Sequence, residues 1–82
     1  MVHTEDVTTK SKKRIELIVA RVRKDKTQIE AAAEIGISVN YLRKLELGIE
    51  SPGLETMLCI AKYYGVSERI LFPDIFFNHD AI

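Results

Sequence analysis

Chemistry has few places to reside in this chain. Cys59 is the only cysteine, and the two histidines, His3 and His79, stand in opposite tails, so neither an intrachain disulfide nor a dedicated zinc cage can be assembled. No Ser/His/Asp set, Gly-rich phosphate loop or metal-ligand cluster occurs, and the chain is expected to be no enzyme and to need no metal or cofactor. What does recur is a set of polar side chains at helical spacing. Val39, Asn40, Arg43 and Lys44 fall on the outward face of a stretch whose other face carries Leu42 and Leu45. An amide, a guanidinium and an ammonium on one exposed face make no bonds, but they can recognise something.

That face needs elements to hold it. Strand-like alternation, internal repeats and low-complexity tracts are all missing, so the expected fold is all-α. Residues 1–10 read as a flexible N-terminal arm, 11–72 as one compact five-helix domain, and 73–82 as an apolar tail. Ser11 can cap a first helix, with Ile15, Ile18, Val19 and Val22 forming one apolar stripe. Thr27 with Glu30 makes a capping box for a second helix, which runs to about Ile35 and is closed by Gly36. Ser38 offers the N-cap of a third helix ending at Leu47 before Gly48. Ser51 and Pro52 supply N-cap and N1 for a fourth, whose expected inner face is Leu54, Met57, Leu58, Ala61 and Tyr64. Ser67 caps a short fifth helix carrying Ile70, Leu71 and Phe72, and Pro73 interrupts the segment after it.

Between Gln28 and Leu45 these elements make a specific combination. Two helices joined by a three- or four-residue turn containing Gly, the second free to enter a DNA major groove, form a helix-turn-helix. Close crossing of the helices demands a small residue, met by Ala32, and the tight turn wants Gly, met by Gly36. Ala31, Ile35, Ile37, Leu42 and Leu45 supply the apolar positions. No one of them is diagnostic, but their joint spacing with both helix caps in register is.

Composition agrees with a small soluble domain. Hydrophobic residues make up 46% of the 82 and charged residues 29%, a globular balance. No apolar run approaches the roughly 18 residues of a membrane span, and no cleavable signal pattern opens the chain, so the expected address is the cytoplasm and no membrane partner is expected. The formal net charge is zero, but it is unevenly spread: residues 1–9 carry −2, residues 10–46 carry +5 and residues 47–82 carry −3. A basic central block is a local attraction for a polyanion, whatever the total, because screening confines charge effects to about 10 Å. The plainer reading of the block is solvated helix surface. Cys59, with no neighbouring base to activate it, reads as a packing residue, and Tyr63 and Tyr64 as core and rim packing instead of a base-stacking platform.

The stretch TQIEAAAEIGISVNYLRKLELGIESPGLETMLCIAKYYGVSERILF resembles the lambda-repressor-like, Cro-type helix-turn-helix domain, the XRE family, over roughly residues 14–72. The Thr-Gln opening of the second helix, Glu46 to Gly48, Ser51-Pro52 and the Ala61 to Leu71 segment all fit the pattern. The resemblance implies a bacterial or phage regulator that binds a palindromic double-stranded DNA operator as a homodimer, a repressor or controller protein. By the same resemblance Gln28, at the N-terminus opened by Thr27, would hold a phosphate, while Ser38, Val39, Asn40 and Tyr41 form the front of the recognition helix. Asn40 has the amide for a bidentate bond to adenine, Val39 could meet a thymine methyl, and Arg43 and Lys44 could reach guanine edges or phosphates. Arg21 and Glu46 match a pair that in relatives forms a partly buried salt bridge. That assignment prefers a first-helix stripe of 17, 20, 21 and 24 over the stripe of 15, 18, 19 and 22.

The chain departs from the family pattern in three places. Ala31 stands where a bulky Leu is usual, Lys26 where an apolar residue is usual, and Ile49-Glu50 where a basic pair often grips phosphate. Glu50 with the zero net charge keeps open a second reading, a protein-interaction module such as an antitoxin or antirepressor on the same fold. Finally, Ile70, Leu71, Phe72, Ile75, Phe76 and Phe77 concentrate apolar surface near the C-terminus. Such a cluster reads as a dimer interface or as a lid folded over the chain's own core.

Overall fold

A computed structural model describes residues 12–77, with the side chain of Phe77 excepted; the expected arm 1–10, the Ser11 cap and both histidines lie outside the described residues. Six helical segments and no strand occur among them: α1 Ile15–Arg23, α2 Gln28–Ile35, α3 Val39–Leu47, α4 Leu54–Tyr64, α5 Glu68–Leu71 and α6 Pro73–Phe77. The architecture is all-α, with one more helix than the five expected.

Local signals placed the central helices. Thr27 Oγ1 accepts the Glu30 amide while the Glu30 carboxylate accepts the Thr27 amide, so both halves of the capping box form. Ser38 Oγ accepts the Tyr41 amide at the start of α3. Gly36 and Gly48 close α2 and α3 in the left-handed region, at φ 98° and 78°. Gly48 is required twice over, because a Cβ there would land on the Lys12 carbonyl, whereas one at Gly36 would meet open space.

Three expectations fail, the first two where tertiary packing outranks local pattern. The α1 stripe of 15, 18, 19 and 22 is not the inner face: Ile15 and Val22 are 56% and 60% exposed, Ile18 and Val19 are half-buried, and Leu17 and Ala20 point inward. Helix α4 begins two residues later than Ser51-Pro52 implied, with Gly53 as N-cap, and Pro52 is buried in the extended approach. Its inner residues are Met57, Ile60 and Ala61, while Leu54 and Leu58 face outward. Pro73 does not end the helical structure but opens α6. The residue before a proline is driven out of the helical region, and Phe72 accordingly breaks the chain at φ −127°, ψ 58°, after which the fixed φ of Pro73 suits the first position of a new helix.

The core has two parts. Leu17, Ala20, Leu45, Met57, Ile60, Ala61, Leu71 and Phe72 join α1, α3, α4 and the α5 end, and Ala31, Ala32 and Leu42 pack α2 on α3. Behind them Arg14, only 3% exposed, joins the residue before α1 to the start of α6. Its Nε and Nη2 hold both Asp74 oxygens at 2.9 and 2.8 Å, and its Nη1 donates to the carbonyls of Leu45 and Glu50 at 2.7 and 2.8 Å. The guanidinium also lies 5.3 Å from the Phe72 ring centre.

Candidate nucleic-acid interface

The interface begins with two alanines. Ala31 and Ala32 are 0% and 2% exposed, so α2 and α3 approach closely enough for the turn Gly36–Ser38 to join them. Ala31, small where a Leu is usual, is accommodated by Ile37, Val39 and Tyr63 packing round the same cluster. With Leu42 and Leu45 fully buried, helical geometry turns Asn40, Arg43 and Lys44 to solvent together. Val39 and Tyr41 are half-buried on its flanks and help to seat the helix, so less of each is available for contact than an outward face implies.

The polar groups are already organised. Arg43 Nη1 donates to Asn40 Oδ1 at 2.6 Å across one helical turn. The hydroxyl oxygens of Thr27 and Ser38 accept the Glu30 and Tyr41 amides as caps, and each O–H remains able to donate. Gln28, half-buried at the N-terminus of α2, donates from Nε2 to Glu46 Oε1 at 2.9 Å.

Glu46 is the hinge of this arrangement. It is 2% exposed and ion-paired with Arg21, whose Nε reaches Oε2 at 2.7 Å and whose Nη2 reaches Oε1 at 3.2 Å. Arg21 Nη1 donates to the Lys26 carbonyl, so one guanidinium joins α1, the α1–α2 turn and α3. The hydrogen bond to Glu46 raises the Arg21 pKa further, against the desolvation that lowers it. The pair expected from the family pattern is therefore present in the structure, with Gln28 as a third member that sequence reasoning did not connect to it.

Not all of the basic block faces outward. Arg14 and Arg21 are internal, and Lys26 is ion-paired with Glu34 at 3.0 Å. Glu34 also accepts from the Tyr63 hydroxyl, and these two bonds hold its carboxyl below the usual carboxylate range. Lys24 lies 4.9 Å from the centre of the Tyr63 ring. Arg43 and Lys44 on α3 are exposed, as are Lys12 and Lys13, where the Lys12 backbone abuts Gly48.

The C-terminal apolar set is largely consumed inside the molecule. Leu71 and Phe72 are 0% exposed, and Ile75 and Phe76 are half-buried against the core, Phe76 beneath the Arg69 guanidinium at 5.3 Å. Ile70 alone of the described residues in that set is half exposed or more, and the Phe77 side chain lies outside the described part. Leu71 and Phe72 therefore have no surface to offer a partner, while Ile70 is exposed and Ile75 and Phe76 keep part of their surface. Two residues that sequence reasoning passed over, Arg14 and Asp74, pair beside this set and tie the start of α6 to the residue before α1.

Comparison with known proteins agrees with this geometry. The helix-turn-helix family model matches residues 17–71, which span α1 to α5. The chain belongs to that family, in its XRE, lambda-repressor-like form. Over 60 residues, 73% of this chain, it is 42% identical to the cryptic phage CTXphi transcriptional repressor RstR from Vibrio cholerae. The chain spans about half the length of that relative, 54%. No solved structure matches.

Proposed function

We propose that this chain is a sequence-specific double-stranded DNA-binding transcriptional regulator of repressor type that acts as a dimer on a near-palindromic operator. The observation that carries the reading is the exposed Asn40, Arg43 and Lys44 face of α3, set beside the capped N-terminus of α2 on an alanine-packed crossing. A helix presented in this way fits the major groove, and the α2 N-terminus, with Gln28 at its first residue, favours a phosphate. Likeness to a phage transcriptional repressor over 73% of the chain supports the regulatory role. A dimer follows from the read length of one helix: a single α3 spans only a few base pairs, and pairing two half-sites about 34 Å apart doubles the sequence read. With Leu71 and Phe72 in the core, Ile70 and the outer edges of α5 and α6 remain for that contact.

A gel shift decides the main point. The fragment upstream of the protein's own gene should be retarded at protein concentrations at which random duplex of equal length is not. Affinity should fall steeply with salt, as phosphate contacts require. Equal retardation of both fragments, or of neither, would refute sequence-specific binding. Sedimentation of the protein with and without that fragment reports the dimer, and one protomer per operator would refute it.

A further inference from the structure

The residues on the outward face of α3 do not act independently. Asn40 and Arg43 are both exposed, one turn apart, and joined by a 2.6 Å bond in which the guanidinium is the donor. An asparagine that reads adenine must accept from the adenine amino group with Oδ1 while donating from Nδ2 to N7. Here Oδ1 already accepts from a cation, and charge-assisted bonds are shorter and stronger than neutral ones. An adenine amino group approaching that oxygen would also bring its own positive hydrogens against the guanidinium. The pair is therefore poorly arranged for adenine.

It is well arranged for guanine. Arginine carries five N–H donors in a planar fork, and the bond to Asn40 uses one from Nη1. Guanine presents two acceptors, O6 and N7, side by side in the major groove, the spacing a guanidinium fork matches. A long side chain that is already held loses less freedom on binding than a free one. Lys44, on the same face, offers a point charge without a fork and suits a phosphate as well as a base.

We propose that Arg43, held in place by Asn40, reads a guanine in each half-site, and that Asn40 is a positioning residue with no base of its own. The inference rests on the DNA-reading function proposed above and names what that face reads.

Selection of binding sites from a randomised duplex library, using the full chain, tests it. Wild type should enrich a guanine at one position of each half-site that Arg43→Ala no longer enriches. Affinity of Arg43→Ala for the wild-type site should fall roughly 10- to 100-fold, the scale of one bidentate base contact. Arg43→Lys, which keeps the charge but not the planar fork, should weaken the guanine preference by less than Arg43→Ala does while keeping more affinity for random DNA. Asn40→Ala should weaken preference at that same position, by less than Arg43→Ala does, and should have no further effect in the Arg43→Ala background. Asn40→Asp separates the two roles, because a carboxylate can still hold Arg43 but cannot donate to adenine N7; it should retain the guanine preference. Replacing the selected guanine with 7-deazaguanine should weaken wild type and leave Arg43→Ala unaffected. An adenine enriched by wild type and lost only in Asn40→Ala and Asn40→Asp would overturn the proposal while leaving DNA reading intact. So would additive losses at two different positions. Enrichment of no sequence at all would overturn the DNA-reading function, and this proposal with it.

Discussion

The α3 face and the Arg14 latch are both arginine-centred, yet they are built in opposite ways. Arg43 is exposed, makes one bond to a residue three positions away and supports nothing in the core. Arg14 is buried, makes four side-chain hydrogen bonds and joins residues 60 positions apart. The first keeps most of its donors free for a ligand. The second has satisfied its donors inside the protein and has become part of the fold. Whether an arginine belongs to function or to structure is thus decided by burial and by the sequence distance of its partners, which residue type does not reveal.

Glu46 sits between the two regions and should give the largest effect. Glu46→Ala leaves the Arg21 guanidinium, 15% exposed, without its counter-charge and Gln28 without its acceptor. Loss of one member of a buried pair costs about 3–5 kcal/mol, and urea unfolding should show it as a lower midpoint. An unchanged midpoint would mean that the pair is not the joint between α1 and α3.

Arg14→Met comes next. It keeps an apolar stem against Phe72 but leaves the Glu50 carbonyl without this donor, the Leu45 carbonyl with the Gly48 amide alone, and Asp74 without its counter-charge. An unsatisfied buried acceptor costs about 1–3 kcal/mol. Far-ultraviolet circular dichroism should show a lower Tm, while DNA affinity measured well below that Tm stays near wild type. A loss of affinity in fully folded protein would break the division between latch and interface.

Ser38→Ala removes the hydroxyl that accepts the Tyr41 amide and should cost about 1 kcal/mol. Thermal melting followed at equal salt reads it, and no change would mean that water caps α3 equally well. The smallest effect on stability belongs to Arg43→Ala, within about 0.5 kcal/mol of wild type as for an exposed residue outside the core. A Tm drop comparable to that of Arg14→Met would erase the contrast between the two arginines.

The helix-turn-helix was legible in the sequence because its determinants are local. Thr27 with Glu30, Ser38 with Tyr41, and the glycines at 36 and 48 each act within one helical turn, and a spacing can be read directly. The Arg21–Glu46 pair was legible only through family resemblance, since nothing in the spacing of residues 25 apart brings them together. On α1 the apolar stripe misled. Ile15 and Val22 are as hydrophobic as Leu17 and Ala20, and only the position of α3 and α5 determines which side is covered. The same holds for Leu54 and Leu58 against Ile60 on α4.

By itself the sequence determined the all-α class, the capped pair α2 and α3, the tight crossing at Ala32 and the family, because those follow from propensity, short-range hydrogen bonds and local spacing. The tertiary structure alone decided the fate of the C-terminal apolar cluster. Phe72 and Leu71 could cover a partner or their own core with equal hydrophobic gain per unit area. In the folded chain both are buried in the core, with the Arg14 guanidinium lying against Phe72 and paired with Asp74 on α6. A contact between the two ends of a domain depends on the whole chain path between them, and no pattern of neighbours encodes it.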